Sequence, residues 1–120
     1  MPVLDSSAVL AFLGGEAGAD SVEEVLEGAI ISAANWSEIA QKTVFNGGDW
    51  GVASSLLASY GVEVVSVTQE DAELAASLWT KGSGLSLADR LCLALSLRIG
   101  EPAITADSAW GASETVVQIR

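Results

Sequence analysis

A chain of 120 residues, half of them apolar, suits one domain over 1–120 with a real hydrophobic core, and no apolar run nears the roughly 18 residues that span a bilayer. Sixteen acids against five basic residues give a net charge of −11, which argues against phosphate binding spread over the whole surface. With no histidine and one cysteine, Ser-His-Asp and Cys-His catalysis, histidine zinc sites and thiolate cages are excluded, leaving carboxylates on a hard cation such as Mg2+ or Mn2+ as the simplest enzyme chemistry.

The N-terminus, "MPVLDSS", has no basic segment and no long apolar stretch, so no signal peptide is expected. "PVLD" is a short apolar run ending in an acid and predicts a buried strand. "SSAVLAFLGG" predicts a helix stopped by Gly14 and Gly15. "DSVEEVLEG" is amphipathic, with Val22, Val25 and Leu26 on one face and its glutamates on a solvated one. "AIISAA" reads as a strand. "NWSEIAQKTVFNGG" and "DWGVASSLLASYG" read as helices, and "VEVVSV" as a strand. "TQEDAELAASLWTKG" is a helix opened by Thr68. The loop Gly82–Gly84 follows; it lacks the lysine and spacing of a phosphate loop. "LSLADRLCLALSLRIG" is an apolar helix capped by Ser86. Cys92 lies inside its apolar run as a core residue, and a reduced cytoplasm is the expected compartment. "PAIT" is a strand, "ADSAWG" a turn or short helical piece, and "ETVVQIR" a last strand. The alternation predicts an α/β fold with a mostly parallel sheet covered by helices.

Four acids fall at junctions between these elements. Asp5 follows the first strand, and Asp107 follows "PAIT". Glu38 and Asp89 are expected in the first turns of their helices. Ligands in such folds gather beyond the carboxyl ends of the strands. Each acid also has a plain structural reading. Asp5 and Asp107 suit N-caps, and Asn35-x-x-Glu38 and Ser86-x-x-Asp89 resemble capping boxes. Apolar flanks weigh the other way: Val3-Leu4, Ile39-Ala40, Leu87-Ala88 and Ile104. Asp89 shares a helix face with Cys92, Leu93 and Ser96. Ionised carboxylates at the rim of a core are costly unless paired or metal-bound.

Together, "VLDSSAVLAFL", "NWSEIAQK", "LSLADRLCLALSLRIG" and "PAITADSAW" resemble, in order, the four motifs of PIN-domain nucleases, most closely the VapC-type toxin ribonucleases of toxin–antitoxin pairs. The resemblance implies a three-layer α/β/α domain that cleaves RNA with Mg2+ or Mn2+. By position, Asp5, Glu38, Asp89 and Asp107 would be its metal-binding and catalytic acids. Ser6 and Thr105 would be supporting hydroxyls. It further implies a cognate antitoxin inserting a basic side chain near the acids, and a homodimer. Where many relatives have a basic residue after the last acid, this chain has Ser108. Its cations are only Lys42, Lys81, Arg90, Arg98 and Arg120. A dimer could align Lys42, Lys81 and Arg90 of two chains. Arg90 is the candidate phosphate contact, against an ion pair with a neighbouring acid. Trp36, Trp50, Trp79 and Trp110 could stack on bases, though packing is the simpler reading. Two alternatives stand: a non-catalytic binding module on this fold, and another carboxylate–Mg2+ phosphohydrolase of the haloacid-dehalogenase kind, which Ser7 disfavours by replacing that chemistry's second Asp.

Overall fold

The computed structural model describes residues 1–120. In chain order its elements are β1 (Val3–Leu4), α1 (Ser6–Leu13), α2 (Ala19–Leu26), β2 (Ile30–Ser32), α3 (Ala33–Phe45), α4 (Trp50–Ser59), β3 (Glu63–Val65), α5 (Gln69–Ser77), α6 (Leu87–Ile99), β4 (Ala103–Thr105), a 3-10 turn (Ser108–Trp110) and β5 (Val116–Gln118). The strands form one sheet in the order β3-β2-β1-β4-β5, and every pairing is parallel.

Successive strand residues face opposite sides of a sheet. Leu4, Ile31 and Ile104 therefore join one core, together with Val9 of α1, Val22 and Leu26 of α2, and Leu57 of α4. Val3 and Ala103 face the other way and join Cys92 and Leu95 of α6. Helix α5 packs outside α6 through Ala75, Leu91 and Ala94. This is the expected α/β/α arrangement. Leu4, Leu26, Ile31 and Leu57 are wholly buried, and each such side chain contributes about 1.5–3 kcal/mol of hydrophobic stabilisation. No helix is long and apolar enough to cross a membrane.

One element begins earlier than its sequence suggests. Ala33 and Ala34 extend the apolar run of β2, yet they are the first two residues of α3. Ser32 supplies the cap, its Oγ accepting from the Ala34 amide at 3.3 Å. Glu38 thus stands in the second turn, and Asn35 caps nothing. The box at Ser86–Asp89 does form, and Thr68–Asp71 forms another.

Gly18 precedes α2 with φ +92, a left-handed conformation that disfavours any side chain. A Cβ there would lie 2.7 Å from Cδ1 of Ile119 and 2.8 Å from the Ile119 carbonyl oxygen. Gly18→Ala is expected to destabilise the fold by about 2 kcal/mol, from left-handed strain plus overpacking, as read by urea denaturation.

The sheet order sets the place of the site. The chain steps outward from β1 through β2 to β3, then returns to place β4 on the other side of β1. The reversal opens a crevice at the carboxyl ends of β1 and β4, where open α/β sheets bind ligands. Asp5 directly follows β1, and Asp107 follows β4 by one residue. Helix α3 packs on both α1 and α6, so it inserts its own acid between the other two helices.

Candidate active site

Asp5 holds the N-cap position of α1, but its side chain makes no capping bond. Its Oδ2 instead accepts from the Thr105 hydroxyl at 2.8 Å and the Ser7 hydroxyl at 2.5 Å. Asp5 is only 2% exposed. Burial pushes its carboxyl above the ordinary value; the hydroxyls of Ser7 and Thr105 pull it down, and the charge of Asp89 adds to the rise. Ser7 also accepts from the Ala106 amide at 3.0 Å, so this hydroxyl joins the ends of β1 and β4.

Glu38 Oε1 accepts from the Ser6 hydroxyl at 2.5 Å and from the Asn35 side-chain amide at 3.2 Å. The two supporting hydroxyls each meet one of the acids. Ser6 orients Glu38, and Thr105 orients Asp5. Asp89 Oδ2 accepts from the Ser86 amide at 2.9 Å, completing its capping box. Asp107 Oδ1 accepts from the Ala109 amide at 2.9 Å, the N-cap role. The turn carrying Asp107 is braced by Gln118 of β5, whose Nε2 donates to the carbonyls of Asp107 and Gly111 at 2.8 and 2.7 Å.

A pattern runs through all four acids. Each commits one carboxylate oxygen to the protein and leaves the other, Oδ1 of Asp5 and Asp89, Oε2 of Glu38 and Oδ2 of Asp107, without a protein hydrogen bond. Three of the acids bear on one buried point. Burial holds the Cys92 thiol protonated, well above its ordinary value, and the charges of Asp5, Asp89 and Glu38 add to that. As the side chains stand, no three of them close around a common point at coordinating distance. In chemistry the donors fit a hard divalent cation, being carboxylate oxygens at the edge of a core without a basic partner. The three ion pairs of the fold lie elsewhere: Met1–Glu101, Arg98–Asp71 and Arg120–Glu16.

Arg90 makes no ion pair. Its Nη1 donates to the Ala75 carbonyl at 2.9 Å, tying α6 to the end of α5, and its Nε is buried without a partner. Asn35 is wholly buried, and its Oδ1 also lacks a partner, at a cost of about 1–3 kcal/mol. Trp36 and Trp50 pack edge-to-face, 4.9 Å between ring centres, against the main core. Trp110 packs beside Cys92 and Leu95, whereas Trp79 is 61% exposed and lies outside the core. Ser7, Asn35 and Gln118 are contributors that sequence reasoning missed. "DSS" hinted at the first, Asn35-x-x-Glu38 marked the second only as a cap, and nothing local marked Gln118.

The PIN-domain family profile matches residues 3–112. A VapC ribonuclease of Mycobacterium bovis and ribonuclease VapC42 of Mycobacterium tuberculosis are each 32% identical over 114 residues, covering 83% of this chain and 86% of the relative. The fold is similar to that of a toxin–antitoxin complex from Klebsiella pneumoniae (TM-score 0.80, 19% identity, 100% of this chain and 98% of that one). It is also similar to M. tuberculosis VapC20, a toxin that cleaves the sarcin–ricin loop (TM-score 0.74, 20% identity, 95% and 98%). At those identities the two structures speak for the fold alone. The profile match and the curated relatives carry the assignment: this chain belongs to the PIN-domain family, among the VapC ribonucleases.

Proposed function

We infer that residues 1–120 form a single nuclease domain that hydrolyses RNA phosphodiester bonds at the rim that carries Asp5, Glu38, Asp89 and Asp107. The observation that carries this reading is the division of labour within each carboxylate. One oxygen is fixed by the protein, and the other accepts no hydrogen bond from it. Rigidly held carboxylates with a free oxygen suit metal ligation, and Asp5, Glu38, Asp89 and Asp107 are the residues that would hold Mg2+ or Mn2+. When bound, such a cation offsets the negative charge of the acids and of the attacked phosphate, and supplies Lewis acidity.

The chain's own residues do the rest. Thr105 and Ser7 orient Asp5, and Ser6 and Asn35 orient Glu38. With no histidine available, a free carboxylate oxygen is the acceptor for a proton from the attacking water. Lys42, Lys81 and Arg90 have no acid partner and are the cations available to the RNA backbone. Arg90 has Ala75 as its protein contact and would reach phosphate through the remainder of its guanidinium. A homodimer would double this small set of charges.

The toxin role, a cognate antitoxin and a cytoplasmic setting follow from the VapC-type relationship. The net charge of −11 favours a partner with a basic segment. Apolar surface on α3 and α4 is also available to a protein partner, with Phe45 87% exposed and Val44 and Val52 largely so. Membership of the PIN family removes the haloacid-dehalogenase alternative.

Purified protein incubated with structured RNA is expected to cut in Mn2+ or Mg2+, to stop in EDTA and to resume when metal is restored. Cleavage indifferent to EDTA would refute the metal-dependent reading. In a bacterial host the parent is expected to arrest growth and Asp5→Ala to permit it; equal growth would refute the toxin role.

A further inference from the structure

We propose that Asn35 is a positioning residue that sets the spacing of Asp5, Glu38 and Asp89, an inference that rests on the nuclease reading above. Its side chain is wholly buried at the meeting of three helices. From α3, Nδ2 lies 3.1 Å from the Ser6 hydroxyl of α1, 3.2 Å from Glu38 Oε1 and 3.4 Å from the Ala88 carbonyl of α6. Ser6 adjoins Asp5, and Ala88 adjoins Asp89. One amide group thus touches the residue beside each of two acids and the carboxylate of the third.

The geometry is that of a spacer. Ser6, Asn35 and Glu38 close a triangle whose third side is the 2.5 Å bond from Ser6 to Glu38. The two N–H groups are shared among three acceptors, so no single helix can shift without straining the others. The burial makes little sense as stabilisation. Although Nδ2 serves three acceptors, Oδ1 of Asn35 is buried with none of its bonding met, a cost that an apolar side chain of similar size would not carry. Retaining a half-satisfied amide at the junction of three acid-bearing helices is the pattern of a site held in geometry at the expense of the fold.

The test compares the parent, Asn35→Leu, Asn35→Asp and the inactive control Asp5→Asn. Asn35→Leu keeps the size and removes the polar group; Asn35→Asp keeps the shape and removes both donors. Four quantities are read: melting temperature without metal, kcat and KM on a structured RNA, and Mn2+ affinity from the paramagnetic resonance of unbound Mn2+. The expected result is a Leu variant that melts no lower than the parent by more than a few degrees. Its kcat falls and its Mn2+ dissociation constant rises by about 10–100-fold, the usual consequence of losing a group that orients a metal ligand. KM changes less than about threefold, because the RNA is held elsewhere. The Asp variant loses at least as much, since a carboxylate then faces Glu38. If the parent binds Mn2+ and cuts while both variants stay within twofold in kcat and Mn2+ affinity, the inference is wrong and the nuclease reading stands. The inference is equally wrong if kcat falls only with the folded fraction and the folded molecules bind Mn2+ as the parent does. If the parent neither binds Mn2+ nor cuts RNA, the nuclease reading fails and takes this inference with it.

Discussion

Asp5→Asn is expected to reduce RNA cleavage by about three orders of magnitude while leaving the melting temperature unchanged or higher. The loss follows from the several kcal/mol that a metal-centred site lends to the transition state, at about 1.36 kcal/mol per tenfold. An amide keeps the shape of Asp5 and still accepts from Thr105 and Ser7, but it is a poor ligand for a hard cation. The stability effect has the opposite sign for a physical reason. Asp5 is buried and close enough to Asp89 to feel its charge, and its carboxyl is raised above the ordinary value. A group raised on folding favours the native state most at low pH, and that benefit is lost as pH rises through its folded value. Ionised Asp5 therefore burdens the fold at neutral pH, and the neutral amide relieves it. Melting with and without Mn2+ completes the measurement: the ion is expected to raise the parent's transition and not the variant's. A variant keeping a tenth of the parent's cleavage would remove Asp5 from the reaction.

Asp71→Asn is expected to do the reverse, lowering stability by about 3 kcal/mol and leaving cleavage at low temperature near that of the parent. Asp71 closes the capping box of α5, where Thr68 N donates to Oδ2 at 3.2 Å. It also takes both arms of Arg98 from α6, at 2.5 and 3.1 Å. Its side chain is 3% exposed and that of Arg98 25%. Removing one partner of a buried pair costs about 3–5 kcal/mol, and partial exposure of Arg98 places this case at the lower end. In melting temperature this is about 10 °C for a domain of this size. Burial alone would raise the Asp71 carboxyl; its bonds to Arg98 and Thr68 outweigh that and hold it below the ordinary value. Its contribution is therefore present above the usual carboxyl range and is lost as pH falls through the lowered folded value. The parent is expected to lose stability in that acid range faster than Asp71→Asn, as urea titrations at successive pH values would show.

The contrast between these residues shows what local pattern conveys. Strands and helices were legible because their limits are local: Gly14-Gly15 stops α1, and Ser86 and Thr68 cap the helices they open. The start of α3 was hidden because Ala33-Ala34 continues the apolar run of β2, and Asn35-x-x-Glu38 has the spacing of a capping box without being one. The four acids proposed for the site could be picked out from their junctions, but their hydrogen-bond partners could not. Ser7 meets Thr105 across 98 residues and Thr105 meets Asp5 across 100, and no window along the chain contains both members. Separation along the chain likewise hid the bond from Ser6 to Glu38, which spans 32 residues. Asn35 was illegible for a different reason: its burial depends on the packing of α1, α3 and α6 together.

The position of β4 has a consequence in time. Strand β1 is made well before β4, yet they lie side by side, with Val3 opposite Ala103 and Leu4 opposite Ile104. Until Thr105 has been synthesised, Asp5 lacks one of its two orienting hydroxyl donors, and Asp107 does not yet exist. A chain still growing on the ribosome, or one cut short before Thr105, therefore carries only part of the four-acid set. The order of synthesis thus withholds a complete set of acids until Asp107 has been added.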